Sequence, residues 1–216
     1  MSVAAEAALV LGLISAAITA IDATKKLYDA AHDAKGLPEA FREVGERLPI
    51  VHDILQKAEE QVDNGKVKEA TCKAVELVVK QCKQKAEKLR DLFNRVLPGE
   101  DAGIAERYKK AFKVLGKGNR VEELMAGIMD EVQLLAANRS MGAATDEQFQ
   151  QLLDAIDKIK ELEPSLPVDP DSVNISHTGS GHNIVATGSS TQPVNLGSGP
   201  QNTYTAPVTQ HYGGGT

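Results

Sequence analysis

The 216-residue chain has no tryptophan, only four phenylalanines and only four tyrosines. So few rings argue against an aromatic-lined ligand pocket. Cysteine is almost as scarce. Cys72 and Cys82 sit ten residues apart on what reads as one helix. At that spacing they stand roughly 15 Å apart along the axis, too far for a disulfide between them. Neither they nor the histidines show metal-ligand spacing, so the chain reads as a reduced, cytoplasmic protein with no expected metal or cofactor. Net positive charge is missing too. At −6 overall, a general binder of nucleic-acid backbones is not expected. No Lys or Arg precedes the apolar run near the N-terminus, which argues against a secretory signal. Catalytic patterns are equally absent. Leu115-Gly116-Lys117-Gly118 lacks the Walker spacing and its Ser/Thr. His32 and His52 have no partner at metal spacing, and there is no nucleophile elbow or H-E-x-x-H. The expectation is a protein that is not an enzyme, without catalytic, cofactor-binding or metal residues.

Charge is unevenly spread. All 24 Lys and Arg lie at or before Lys160, and 28 of 30 acids at or before Glu163. The run ELEPSLPVDPDS carries Pro164, Pro167 and Pro170, which helix interiors do not tolerate. The expected organisation is therefore a domain over 1–163, a Pro-rich linker over 164–171 and a tail over 172–216.

The first part reads as helical almost throughout. Phe41, Val44, Leu48, Val51, Leu55, Ala58 and Val62 alternate steps of three and four. Val67, Thr71, Ala74, Val78, Cys82, Ala86, Leu89 and Phe93 form a second such stripe. Val121, Leu124, Ile128, Val132 and Leu135 form a third, and Phe149, Leu152, Ile156 and Ile159 a fourth. Breaks are expected at Gly36-Leu37-Pro38, Asp63-Asn64-Gly65, Pro98-Gly99 and Gly116-Lys117-Gly118, and Pro49 should kink or interrupt the second stripe's helix. Short connections between amphipathic helices predict an all-α, multi-helix antiparallel bundle.

The N-terminal segment departs from this pattern. Ala7 to Ile21 contains 15 residues without a charge, and Ala4, Ala8, Gly12, Ala16 and Ala20 recur every fourth position, which reads as one small residue per turn on one face. Small residues at that step let helices approach closely in lipid, and equally let a buried helix pack inside a bundle. A single-pass anchor is disfavoured, because about 20 apolar residues are needed. Leu13 lies near the centre of the run, where a charge would oppose insertion most. The segment fits a core helix in one state and a membrane segment in another.

The tail counts in nines. Gly179, Gly188 and Gly197 are each followed by serine, and Asn174, Asn183, Gln192, Gln201 and Gln210 keep the same step. With few large apolar residues the tail cannot bury a core, so disorder is expected of the monomer. In stacked strands the amides would superpose as Asn/Gln ladders, while the glycines allow the turns. Pro193, Pro200 and Pro207 must then fall at turns or edges. His177, His182 and His211 read as polar filler rather than ligands.

GLPEAFREVGERLPIVHDIL (Gly36–Leu55), LPGED (Leu97–Asp101) and RYKKAFKVLGKGNRVEELMAGIMDEVQLLA (Arg107–Ala136) resemble the SesA-type domain. That domain occurs at the N-termini of fungal NACHT-type NTPase receptors and in small companion proteins. The similarity covers roughly Leu9 to Pro167. It implies kinship with HeLo and HeLo-like helical domains, which execute regulated cell death by attacking membranes. The absence of a Walker motif implies the stand-alone effector rather than the receptor. TGSGHN, ATGSSTQ and LGSGPQN are similar to the σ-type amyloid signalling motif, and more distantly to the RHIM-like type. The resemblance thus implies a fungal cell-death effector of incompatibility or innate-immune type, cytoplasmic at rest and acting at the plasma membrane. Its implied partners are a NACHT or NLR-like receptor with a matching motif, further copies of itself, and membrane lipids. The alternative is a soluble helical adaptor of a NACHT pathway that never enters lipid.

Overall fold

The computed structural model describes residues 3–31, 36–97, 103–116 and 118–166. Among them are six helices and no strand: α1 Val3–Ala31, α2 Glu39–Asp63, α3 Glu69–Val96, α4 Ile104–Leu115, α5 Val121–Ala137 and α6 Asp146–Lys160. The tail and its amide register lie outside the described residues, as do His32 and the Pro98-Gly99 break.

The helix ends follow from local chemistry. After Asp63 the chain turns through Asn64 and Gly65, whose φ of 66° suits a residue without Cβ. Gly65 N–H donates to Val62 and Lys66 N–H to Gln61, so two otherwise orphaned carbonyls are satisfied in a Schellman turn. Thr145 caps α6, its hydroxyl accepting from Gln148 N–H while the Gln148 amide accepts from Thr145 N–H. Leu115-Gly116 is a helix stop rather than a phosphate loop. Asn119 Nδ2 donates to the carbonyls of Leu115 and Gly116, and Gly116 has φ 86°.

α2 buries all seven residues of its sequence stripe. Of the two outcomes expected at Pro49, interruption does not occur: the helix runs on and the ring faces solvent. Gly45, four residues earlier, is where a proline ring crowds the preceding turn. It lies against Tyr28 of α1 so closely that an added Cβ would fall 2.5 Å from three ring carbons.

α3 bears out the later half of the second stripe, Cys82, Ala86, Leu89 and Phe93, and corrects its earlier half. Its buried face is Cys72, Val75, Val79, Cys82, Ala86, Leu89, Leu92, Phe93 and Val96. Ala74 is exposed, and Thr71 and Val78 are only half-buried. The run VELVVKQC offers valines on adjacent positions, so either of two phases satisfied the period. α1 packs along α3, and its position chooses the phase.

α5 is the central element. It packs on α2, α3 and α6, and buries Val121, Glu122, Leu124, Met125, Ile128, Met129, Glu131, Val132 and Leu135. Phe41 meets Phe93 at 5.0 Å and Tyr108 edge-on at 4.9 Å, joining α2, α3 and α4. Lys85 of α3 donates to Glu131 at 2.6 Å and to the Gly127 carbonyl at 3.2 Å, fixing the register of α3 on α5. The helical unit is bounded at Pro167. Leu166 is buried on it, so the first residues of the sequence-read linker belong to the bundle.

Candidate functional site: the apolar first helix and the C-terminal strap

α1 buries Val10, Ile14, Ala17, Ala20, Ile21 and Thr24 against α2 and α3. Its opposite face is unusual. On α2 the outward positions from Arg42 to Glu60 are Arg42, Glu46, Pro49, Asp53, Gln56 and Glu60, all but the proline polar. On the first half of α1 they are Ala5, Ala8, Leu9 and Gly12, with Leu9 48 % exposed. A helix that is apolar all round belongs in a core or in lipid, and here one side meets water. The helix from Ala5 to Ala31 is long and apolar enough to cross a membrane, and one third of its most apolar window is buried in the bundle. The helix outruns the charge-free run because Asp22, Lys25, Lys26 and Asp29 cluster in its last turns.

The four-step row of small residues is not one face. Each step of four residues advances about 40° round a helix. Ala8 and Gly12 are therefore exposed, Ala16 is half-buried and Ala20 fully buried. A Cβ on Gly12 would meet nothing within 4 Å. Leu13 is half-buried at the edge of the core. The side chain of Ala4 lies outside the described residues.

Two polar contacts reach from the middle of α1 to α2. The Ser15 hydroxyl donates to Glu59, and Asp22 stands 3.4 Å from His52 Nε2. Thr19 and Thr24 turn back onto their own helix at Ser15 and Ala20. Glu6 ends the apolar run with Oε2 buried and unbonded, an arrangement that costs about 1–3 kcal/mol. The same carboxylate lies near Cys72, whose thiol is pushed up by burial first and by Glu6 second. The N-terminal turns of α1 are thus the least satisfied part of its seat.

The second feature is the strap where the chain leaves the bundle. Val121 N–H donates to Tyr108 Oη at 3.1 Å. Ser165 Oγ lies 2.6 Å from that hydroxyl and 2.5 Å from Glu122 Oε2, while Ser165 N–H donates to Glu122 Oε1 at 3.1 Å. An ionised Glu122 can only accept, so Ser165 donates to it and Tyr108 donates to Ser165. Burial pushes the Tyr108 hydroxyl up to about 12, against the opposing effect of these bonds. Sequence reading missed all three residues. Tyr108 looks like core, Glu122 like a first-turn acid and Ser165 like linker; only tertiary packing unites them.

No group of His, Cys, Asp and Glu among the described residues could hold a metal ion. Burial drives the Cys82 thiol up to about 12, so it is a weak nucleophile. Against known families, the chain matches the model for SesA, described as the N-terminal domain on NACHT and P-loop NTPases, over residues 14–135. No curated protein and no solved structure matches the chain.

Proposed function

The chain belongs to the SesA family, and from that premise we propose that it is a non-enzymatic effector of amyloid-controlled cell death. A domain of NACHT NTPase systems is a signalling module; the finer reading adds what the module does. The tail over 172–216 is templated into stacked strands by a receptor carrying a matching motif, which concentrates the helical domains. α1 then leaves its seat and enters the membrane, taking a protein that is cytoplasmic at rest to the plasma membrane. The observation that carries this reading is the water-facing apolar side of the first half of α1.

Insertion exchanges one apolar environment for another. Val10, Ile14, Ala17 and Ile21 lose the core but gain lipid, while Leu9 and its neighbours leave water, worth roughly 25 cal/mol per Å² of apolar surface. The charge-free run spans about 22 Å as a helix, less than the roughly 30 Å hydrocarbon core. Glu6 and Asp22 therefore sit near the two interfaces in a locally thinned bilayer.

The second reading, a soluble adaptor, rests on the closed core of the bundle. An environment-sensitive dye on Gly12→Cys separates the two. Position 12 is open, whereas Cys72 and Cys82 are buried and should not label. Seeding the labelled full-length chain with fibrils of its tail, in the presence of vesicles, should shift the emission to the blue. Emission that stays water-like while fibrils grow would leave the adaptor.

A further inference from the structure

The end of α3 and the face of α4 enclose an open cleft of about 260 Å³, lined by Arg95, Arg107, Lys110, Ala111 and Val114. Three cations converge on it in a chain of net charge −6. Arg107 Nε donates to the Val96 carbonyl at 2.8 Å, which anchors its guanidinium at the last turn of α3. Lys110 pairs with Glu106 at 3.2 Å, but both are largely exposed, and such pairs contribute little. Arg95 has no ion-pair partner among the described residues. Lys109 and Lys113 carry positive charge round the exposed side of α4. By sequence, the stretch from Arg95 to Lys113 holds five cations and three acids, so its net sign opposes that of the whole chain.

The remaining wall is apolar. Val114 is 68 % exposed at the cleft, where a solvated helix face would carry a polar residue. A free phosphate needs no such neighbour, and a nucleic acid would be met by stacking rings. Cations beside an exposed aliphatic side chain suit the boundary between headgroups and acyl chains.

We propose that this cleft docks the chain on an anionic membrane by binding lipid phosphate headgroups, with Arg95, Arg107 and Lys110 as phosphate ligands and Val114 entering the acyl boundary. The proposal rests on the membrane reading above and adds the lipid class and a surface separate from α1. Docking comes before insertion and does not need the tail. Each basic residue near a charged leaflet contributes about fivefold in affinity.

The test is sedimentation of the fresh, unseeded full-length chain with vesicles of phosphatidylcholine alone or mixed with phosphatidylserine. Binding is expected only to the mixed vesicles, and it should weaken with added salt. Arg95→Gln with Lys110→Gln should lower it about 25-fold, and Val114→Asp should lower it further, with the helical circular dichroism unchanged. Lys66→Gln with Lys68→Gln removes two exposed cations elsewhere and should leave binding within about twofold. Equal loss in that control, equal binding to neutral vesicles, or competition by inorganic phosphate or RNA in a chain that ignores vesicles would each overturn the assignment. Leu13→Lys distinguishes the two readings. It should dock normally while failing to insert, so a failure of the α1 reading leaves the cleft intact and the reverse.

Discussion

Gly12→Ala and Gly45→Ala make the same chemical change in the interior of a helix and should act in opposite directions. Glycine is less favourable than alanine there by about 0.8–1.0 kcal/mol, so propensity alone stabilises both variants. At Gly12 nothing lies within 4 Å of the new methyl, so the gain is kept in full. At Gly45 the methyl would sit 2.5 Å from Cγ, Cδ2 and Cε2 of Tyr28. Those atoms include the root of the ring, so a small swing of its far edge does not relieve the overlap. Either α1 moves off α2 or Tyr28 gives up its half-buried place. Overpacking of this kind costs about 1–3 kcal/mol, which exceeds the propensity gain. Thermal unfolding followed by circular dichroism at 222 nm, about the usual helix wavelength, reads the difference. For a domain of this size about 1 kcal/mol moves Tm by roughly 2–4 °C, upward for Gly12→Ala and downward for Gly45→Ala. Two rising melting points would refute the close seat of Tyr28 on α2. Two falling ones would refute the outward position of Gly12, and with it the exposed apolar face.

Ser165→Ala should destabilise the bundle by about 1–3 kcal/mol, because Tyr108 and Glu122 both lose a partner at a partly buried site; an unchanged denaturant midpoint would remove the strap. Stability should fall as pH rises from 9 towards 12, since Cys82 moves from 9.0 to about 12 and Tyr108 from 10.0 to about 12. In that range the unfolded chain sheds protons that the folded chain keeps, so unfolding is favoured; a flat Tm between those limits would contradict the burial of both groups. The peptide 172–216 should be unstructured when fresh and form thioflavin-positive fibrils on standing. Lysine at Asn183, Gln192 and Gln201 should prevent this by stacking like charges about 4.8 Å apart. A wild-type peptide that stays monomeric at high concentration would refute the motif, and fibrils from the lysine variant would refute the ladder.

Much of the bundle was legible because burial imposes a period. Every residue of the α2 stripe and of the α5 stripe is in the core. Only the first half of α3 was misphased, because Val75, Leu77, Val78 and Val79 are all apolar and composition does not say which of them a neighbour covers. At Pro49 the interruption does not happen: an exposed position on a long helix, backed by packing on its other side, carries a proline without a break. The small-residue row was visible, but its faces were not, since α2 and α3 decide which side of α1 turns inward. The strap and the basic cleft left no local signal. Glu122 and Ser165 are 43 positions apart, and Arg95 and Lys110 meet only because the chain folds back after α3.

The central claim is that α1 enters lipid once the tail assembles. Dye release from vesicles by the seeded full-length chain, wild type against Leu13→Lys, addresses it directly. A lysine near the centre of the run costs roughly 2.5–3.5 kcal/mol on insertion, while its half-buried place at the rim of the core lets the ammonium reach water in the resting fold. The expected result is rapid release by the wild type and loss of release by Leu13→Lys, with fibril growth and helical circular dichroism alike in both. A folded Leu13→Lys chain that empties vesicles at the wild-type rate would contradict the account.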